Sequence, residues 1–182
     1  MASVREAALA RRSAAKVTDA SPDDAALLEL LGVAERVADH AALRPWRTIA
    51  LRGGARERLG AALVAASGFE GDSAAKLAAK PLRAPLVLAL VLSPRFHPKA
   101  PEWEQLVAAA GVGHLLSLLL DEAGWGVMWR TGPFTRHPAV AEMHGLAPGE
   151  QLLGWLYVGG RPDGGRPGRP AERPAPRFSS ID

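Results

Sequence analysis

The chain has 182 residues, 48% of them hydrophobic and 23% charged, which suits one globular unit with a real core and excludes an extended disordered chain. It contains no cysteine, so disulfides, thiolate metal sites, iron–sulfur clusters and a cysteine nucleophile are excluded together. The net charge of +3 sits mostly at one end: Arg161 to Asp182 holds five Arg against three acids, and the rest is nearly neutral. With no basic face interleaved with aromatics elsewhere, a nucleic-acid partner is not expected.

Met1 to Lys16 is rich in Ala and Arg but lacks the apolar centre of a secretory signal, and Glu6 speaks against organelle targeting. The segment is read as mature structure and the protein as cytoplasmic. A first short helix is predicted over Val4 to Ala10. Ser21-Pro22-Asp23-Asp24 marks a second start, with Ser21 as cap, Pro22 in the first turn and two carboxylates facing the helix dipole. Leu27, Leu30, Leu31, Ala34, Val37 and Ala38 follow at helical spacing, which carries that helix to about Asp39-His40.

Thr48 to Arg52 is predicted as a strand, Ala55 to Ala66 and Asp72 to Ala79 as helices. Leu86 to Leu92 has no polar alternation, as expected for a strand covered on both faces. Pro101-Glu102 opens a long helix to about Ala123, with Gly124 as its stop. Its 15-residue apolar stretch, Leu106 to Leu120, contains His114, Ser117, Gly111 and Gly113 and is shorter than the roughly 20 residues of a bilayer span. It reads as a buried helix, and no membrane partner is expected. Gly126 to Arg130 and Leu152 to Val158 are further strands, with a helix over Arg136 to His144 between them. From Gly159 on, Gly, Pro and Arg dominate, and such a stretch cannot bury enough apolar surface to order itself. Few strands and many helices without regular alternation indicate an α+β fold.

The five histidines show no paired ligand spacing, so no metal site is predicted, and His114 is read as a hydrogen-bonded core or interface residue. There is no GxSxG elbow, Walker A loop or GxGxxG after a strand. Three clusters carry possible chemistry. Arg11-Arg12-Ser13, at a helix end, is suited to a phosphate, or is an ordinary basic helix terminus. Asp39-His40 with Pro45-Trp46 either lines a planar ligand or forms a packed turn. Trp125, Trp129 and Arg130 stand among Gly124, Gly126 and Gly132, where close backbone approach and stacking on an aromatic ring are possible.

The three clusters occur in the order seen in the nitroreductase family. The supporting marks are Arg36 with Asp39-His40, Arg83-Ala84-Pro85, Trp103-Glu104-Gln105, Gly124-Trp125-Gly126, Trp129-Arg130-Thr131-Gly132 and Gly154-Trp155-Leu156-Tyr157-Val158-Gly159. Residues 4 to 160 resemble its minimal branch of short bacterial enzymes. The resemblance implies an α+β fold with a central, mainly antiparallel sheet flanked by helices, in an intertwined homodimer with FMN at the subunit interface. It implies that Arg11, Arg12 and Ser13 hold the phosphate and ribityl region, that Arg36 and His40 approach the flavin from the partner subunit, and that Trp129, Arg130 and Thr131 lie beside the isoalloxazine. Leu119, Leu120, Asp121, Glu122, Ala123 and Gly124 match a contact with NADH or NADPH. The implied reaction is a two-step relay from reduced nicotinamide through flavin to a small-molecule oxidant, a nitroaromatic or quinone, with no catalytic acid or nucleophile nominated. Dehydrogenation or reductive dehalogenation on the same scaffold, or flavin binding without turnover, are the alternatives. Residues 1–160 form the FMN-binding domain and 161–182 an arm, whose Phe178 and Ile181 are expected to dock on the other subunit.

Overall fold

The computed structural model describes residues 3–162 and 177–181. The chain runs through α1 (Val4–Ala10), α2 (Asp24–Ala34), β1 (Trp46–Leu51), α3 (Gly54–Ser67), α4 (Gly71–Ala78), β2 (Leu86–Leu92), α5 (Glu102–Glu122), β3 (Trp125–Arg130), α6 (Pro138–Met143) and β4 (Gln151–Gly160). The α+β expectation is met: one four-stranded sheet of order β1-β2-β4-β3, antiparallel at every pairing.

Every residue of β2 is buried, and alternation along it divides the core into two layers. Val87, Ala89 and Val91 join Leu59, Leu63, Leu77, Trp155 and Tyr157 on the side covered by α3, α4 and α6. Leu86 and Leu88 join Leu27, Val112, Leu116, Leu120, Val127 and Leu156 on the side covered by α2 and α5. A fully buried Leu such as Leu116 or Leu120 stabilises the fold by about 2 kcal/mol, so the second layer rests chiefly on α5. Among the described residues α5 alone is long and apolar enough to cross a membrane, yet its buried face packs on the sheet of this fold.

Local chemistry explains where elements start and stop. A capping box holds α1, with Ser3 Oγ accepting from Glu6 N at 3.2 Å and Glu6 Oε2 accepting from Ser3 N at 2.7 Å. The α2 start differs from expectation. Asp23, not Ser21, is the cap, its Oδ1 accepting from Ala26 N at 2.9 Å, while Ser21 Oγ accepts from Arg52 Nη1 at 2.8 Å. A distant guanidinium thus takes the hydroxyl that would otherwise face the helix. The α2 end also differs: the helix stops at Ala34, before Asp39. Asp39 Oδ2 accepts from Arg44 N at 2.7 Å and closes a loop in place of another helical turn. That loop places Ala41, Ala42 and Arg44 at φ of 64°, 50° and 47°.

Polar ties fix the remaining loops. Gln105, buried on α5, accepts from Arg95 N at 2.9 Å and donates to Arg95 O at 2.7 Å and Ala100 O at 2.9 Å, so it pins the approach to the helix. Glu150, just before β4, receives Arg47 Nε at 2.7 Å and Nη2 at 2.6 Å, Ser93 Oγ at 2.9 Å and Ala147 N at 2.9 Å. The bidentate Arg47 bond is the main reason its carboxyl is held down at about 2, against partial burial.

Candidate functional site

After α1 the chain turns along the sheet. Ser13 forms a parallel bridge with Val127 of β3, and Ala14 N donates to Val127 O at 2.8 Å. The segment then crosses the β3–β4 end, where Thr18 N donates to Gly160 O at 2.8 Å and Gly160 N to Ala20 O at 2.7 Å. Glycine is required here by the chain itself. A Cβ on Gly126 would stand 2.8 Å from Val17 Cγ1, and one on Gly159 would stand 2.7 Å from Thr18 O. The close backbone approach expected at Gly126 is therefore made by the chain's own amino-terminal segment.

This packing brings the first and third clusters together, because Ser13 lies beside the strand that ends in Trp129-Arg130. Arg11 and Ser13 are exposed, and Thr131 is exposed just beyond the strand. Trp129 and Arg130, being adjacent on β3, face opposite sides of the sheet. Trp129 packs on the α5 side, its ring centroid 4.8 Å from that of His114. Arg130 lies over the Tyr157 ring at 5.3 Å on the other. Trp129 Nε1 and Arg130 Nε are both buried, and neither has a hydrogen-bond partner among the described residues. Unpaired buried donors cost about 1–3 kcal/mol and call for an acceptor.

The second cluster stands elsewhere on the same chain. Arg36 is exposed just after α2. His40 Nδ1 lies 2.7 Å from Glu104 Oε2 at the start of α5. Gly113, where Trp129 packs, is nine residues further along that helix, roughly 14 Å away. The three left-handed non-glycine residues around His40 make its loop strained, at about 1 kcal/mol each.

The stretch from Leu119 to Gly124 forms the end of α5 and its turn. Leu120 is fully buried in the core, and Leu119 packs against the same cluster. Asp121 is buried, with Oδ1 2.6 Å from Arg161 Nη2, and its carbonyl also accepts from Arg161. Glu122, Ala123 and Gly124 are exposed, Gly124 at φ 91°.

Two histidines differ from or lie outside the sequence reading. His114 is exposed on this chain, so the core reading does not hold for it, and Gly113 beside it holds the buried position. His144 carried no local signal, yet it is buried. Its Nδ1 bonds Val140 O at 2.7 Å while Nε2 accepts from Trp155 Nε1 at 3.0 Å, which requires the neutral tautomer protonated on Nδ1. Burial pushes its pKa down.

Residues 8–160 match the model of the Nitroreductase family. The chain is 31% identical over 152 residues to the Escherichia coli (strain K12) protein YdjA, provisionally named an NAD(P)H nitroreductase, covering 82% of this chain and 83% of that one. A crystal structure of a nitroreductase-like family protein from Bacillus cereus superposes with a TM-score of 0.85 at 24% identity, over 100% of this chain and 97% of that one. The FMN and NADPH-dependent nitroreductase NfnB of Sphigopyxis sp. strain HMH superposes with a TM-score of 0.72 at 20% identity, over the full length of both chains.

Proposed function

The chain belongs to the nitroreductase family, and from that premise we propose that it is an FMN-dependent oxidoreductase using NADH or NADPH to reduce nitroaromatic or quinone-type acceptors. The observation that carries this reading is the Ser13–Val127 bridge. It aligns two guanidinium groups and a hydroxyl with a strand whose end holds, on its α5 face, the buried and unpaired Nε1–H of Trp129. Two guanidinium groups with a hydroxyl fit a phosphate at one end, and the indole N–H fits a flavin carbonyl at the other.

In this reading Arg11, Arg12 and Ser13 hold the phosphate and ribityl chain, and Trp129, Arg130 and Thr131 orient the ring. FMN, when bound, supplies the two-electron redox chemistry. The protein's residues supply position and charge, so no side chain need act as acid or nucleophile. Arg36 and His40 reach the flavin of the partner subunit, which gives the strained loop around His40 a reason to persist. The nicotinamide contact falls on Glu122, Ala123 and Gly124 and on backbone groups of Leu119, Leu120 and Asp121, because the Leu120 and Asp121 side chains are committed to the fold.

The working form is a homodimer in the cytoplasm. Support comes from apolar side chains left outside the core near the start of α5: Trp103 and Val107 are 65% and 64% exposed. Phe178 and Ile181, 76% and 95% exposed on their own chain, dock on the partner and form the end of the arm; residues 163–176 of that arm lie outside the described residues. The test is spectroscopic. Purified protein supplied with FMN shows a flavin absorbance that NADH or NADPH bleaches and a nitroaromatic restores. Protein that retains no flavin at micromolar FMN overturns the reading.

A further inference from the structure

A cavity of about 320 Å³ opens where β3 ends, on the sheet face covered by α3 and α4. Its walls combine four aromatic rings, Phe69, Phe134, Trp155 and Tyr157, with two cations, Lys80 and Arg130, and among the described residues no carboxylate lines it. The size is at the small end of ligand pockets, enough for a single-ring guest.

The polar groups in these walls are arranged for an anion. The indole N–H of Trp155 is already given to His144, so that side chain offers only ring surface. Arg130 is steered over the Tyr157 ring, and its buried Nε has no acceptor among the described residues. Burial raises the Tyr157 pKa, so the phenol is neutral at neutral pH and places no negative charge beside the two cations. A partly buried guanidinium without a carboxylate is costly, and an anionic guest offsets that cost. Phe69, half exposed, is also in the lining and supplies a flat apolar surface.

We propose that this cavity is a specificity pocket for a planar aromatic carboxylate: the ring packs among Phe69, Phe134 and Trp155, and the carboxylate is shared by Lys80 and Arg130. The pocket adjoins Thr131 and Gly132, so the guest lies next to the segment assigned to the flavin. As an electron acceptor the guest rests on the function proposed above. As a ligand class it rests on the cavity alone.

Benzoate, which cannot be reduced by the enzyme, is the binding probe, followed by ligand-observed NMR with FMN-free and FMN-loaded full-length protein. Binding to both forms is expected, with a loss of roughly threefold to fivefold in Lys80→Gln and recovery in Lys80→Arg, as suits a partly exposed ion pair. In turnover, the ratio of kcat/KM for 4-nitrobenzoate to that for its methyl ester exceeds one and falls by the same factor in Lys80→Gln; the ratio cancels any general loss of activity. An unchanged ratio and unchanged benzoate affinity in Lys80→Gln overturn the proposal. So does displacement of benzoate by FMN, which would make the cavity part of the flavin seat. Failure to bind FMN would remove the proposed function, while benzoate binding to the FMN-free protein still decides the ligand class.

Discussion

Trp129 occupies the space that a side chain at Gly113 would need: a Cβ built on Gly113 would stand 2.6 Å from Trp129 Cη2 and equally close to Leu90 Cδ2. Helix α5 can approach the sheet at this point only because residue 113 has no side chain. Gly113→Ala would ordinarily gain about 1 kcal/mol of helix propensity. Here overpacking costs about 1–3 kcal/mol and wins or cancels that gain. The expected outcome is a lower chemical-denaturation midpoint and altered tryptophan fluorescence. A more stable variant with unchanged fluorescence would show that the contact relaxes freely.

Arg11 and Ser13 are exposed, so replacing them by Ala should leave the fold intact. Loss of the phosphate contacts should cost about 1.5–3 kcal/mol of FMN affinity, at least tenfold, while riboflavin binding changes little. Equal losses for both ligands, measured by fluorescence titration, would place the phosphate elsewhere.

One buried group, His144, and one partly buried group, Glu150, make the fold acid-sensitive in separate windows. His144 has a folded pKa below its ordinary 6.5, so its contribution is complete above about pH 6.5 and declines as pH falls toward the lowered value. Glu150 has a folded pKa of about 2 against an ordinary 4.5; its contribution is complete above about 4.5 and is lost as pH falls from there to about 2. Urea midpoints measured from pH 7.5 to 3 should fall in both windows. Glu150→Gln should flatten the lower one and cost about 1.5–3 kcal/mol at pH 7, since Arg47 loses its charged hydrogen-bond partner. His144→Phe should remove the upper step while leaving the Trp155 N–H unpaired, at about 1–3 kcal/mol. A steady midpoint between pH 6.5 and 5 in the unaltered protein would contradict the assignment to His144.

Truncation tests the arm. Removing residues 173–182 deletes Phe178 and Ile181, both left exposed by their own chain. The shortened protein should dissociate at higher concentration in sedimentation and hold FMN less tightly. Unchanged dimerisation and FMN affinity would assign the arm no role in the interface.

Much of the secondary structure was legible in the chain because its signals are local. Pro101 and Gly124 bracket α5 at Glu102–Glu122, and the unbroken apolar run of Leu86 to Leu92 became a strand buried on both faces. The clusters around Ser13 and Trp129 were legible as residue types at a spacing, but their meeting was not. It depends on the pairing of Ser13 with Val127, 114 residues apart in sequence. Distance in sequence hid the rest for the same reason. Arg52 took Ser21 from its cap, Glu150 found Arg47, Asp121 found Arg161, and Trp155 found His144. The side of the sheet on which each residue works was decided by register. Met128 faces Tyr157 and Arg130 faces Trp155 across β3–β4, with a shift between Leu90 and Val91 in the neighbouring pair. A slip of one residue would exchange Trp129 and Arg130 between the two faces, because side chains alternate with a period of two. Composition and local spacing determined the elements and the kinds of chemistry at hand, whereas long-range pairing alone decided which of those groups share a site.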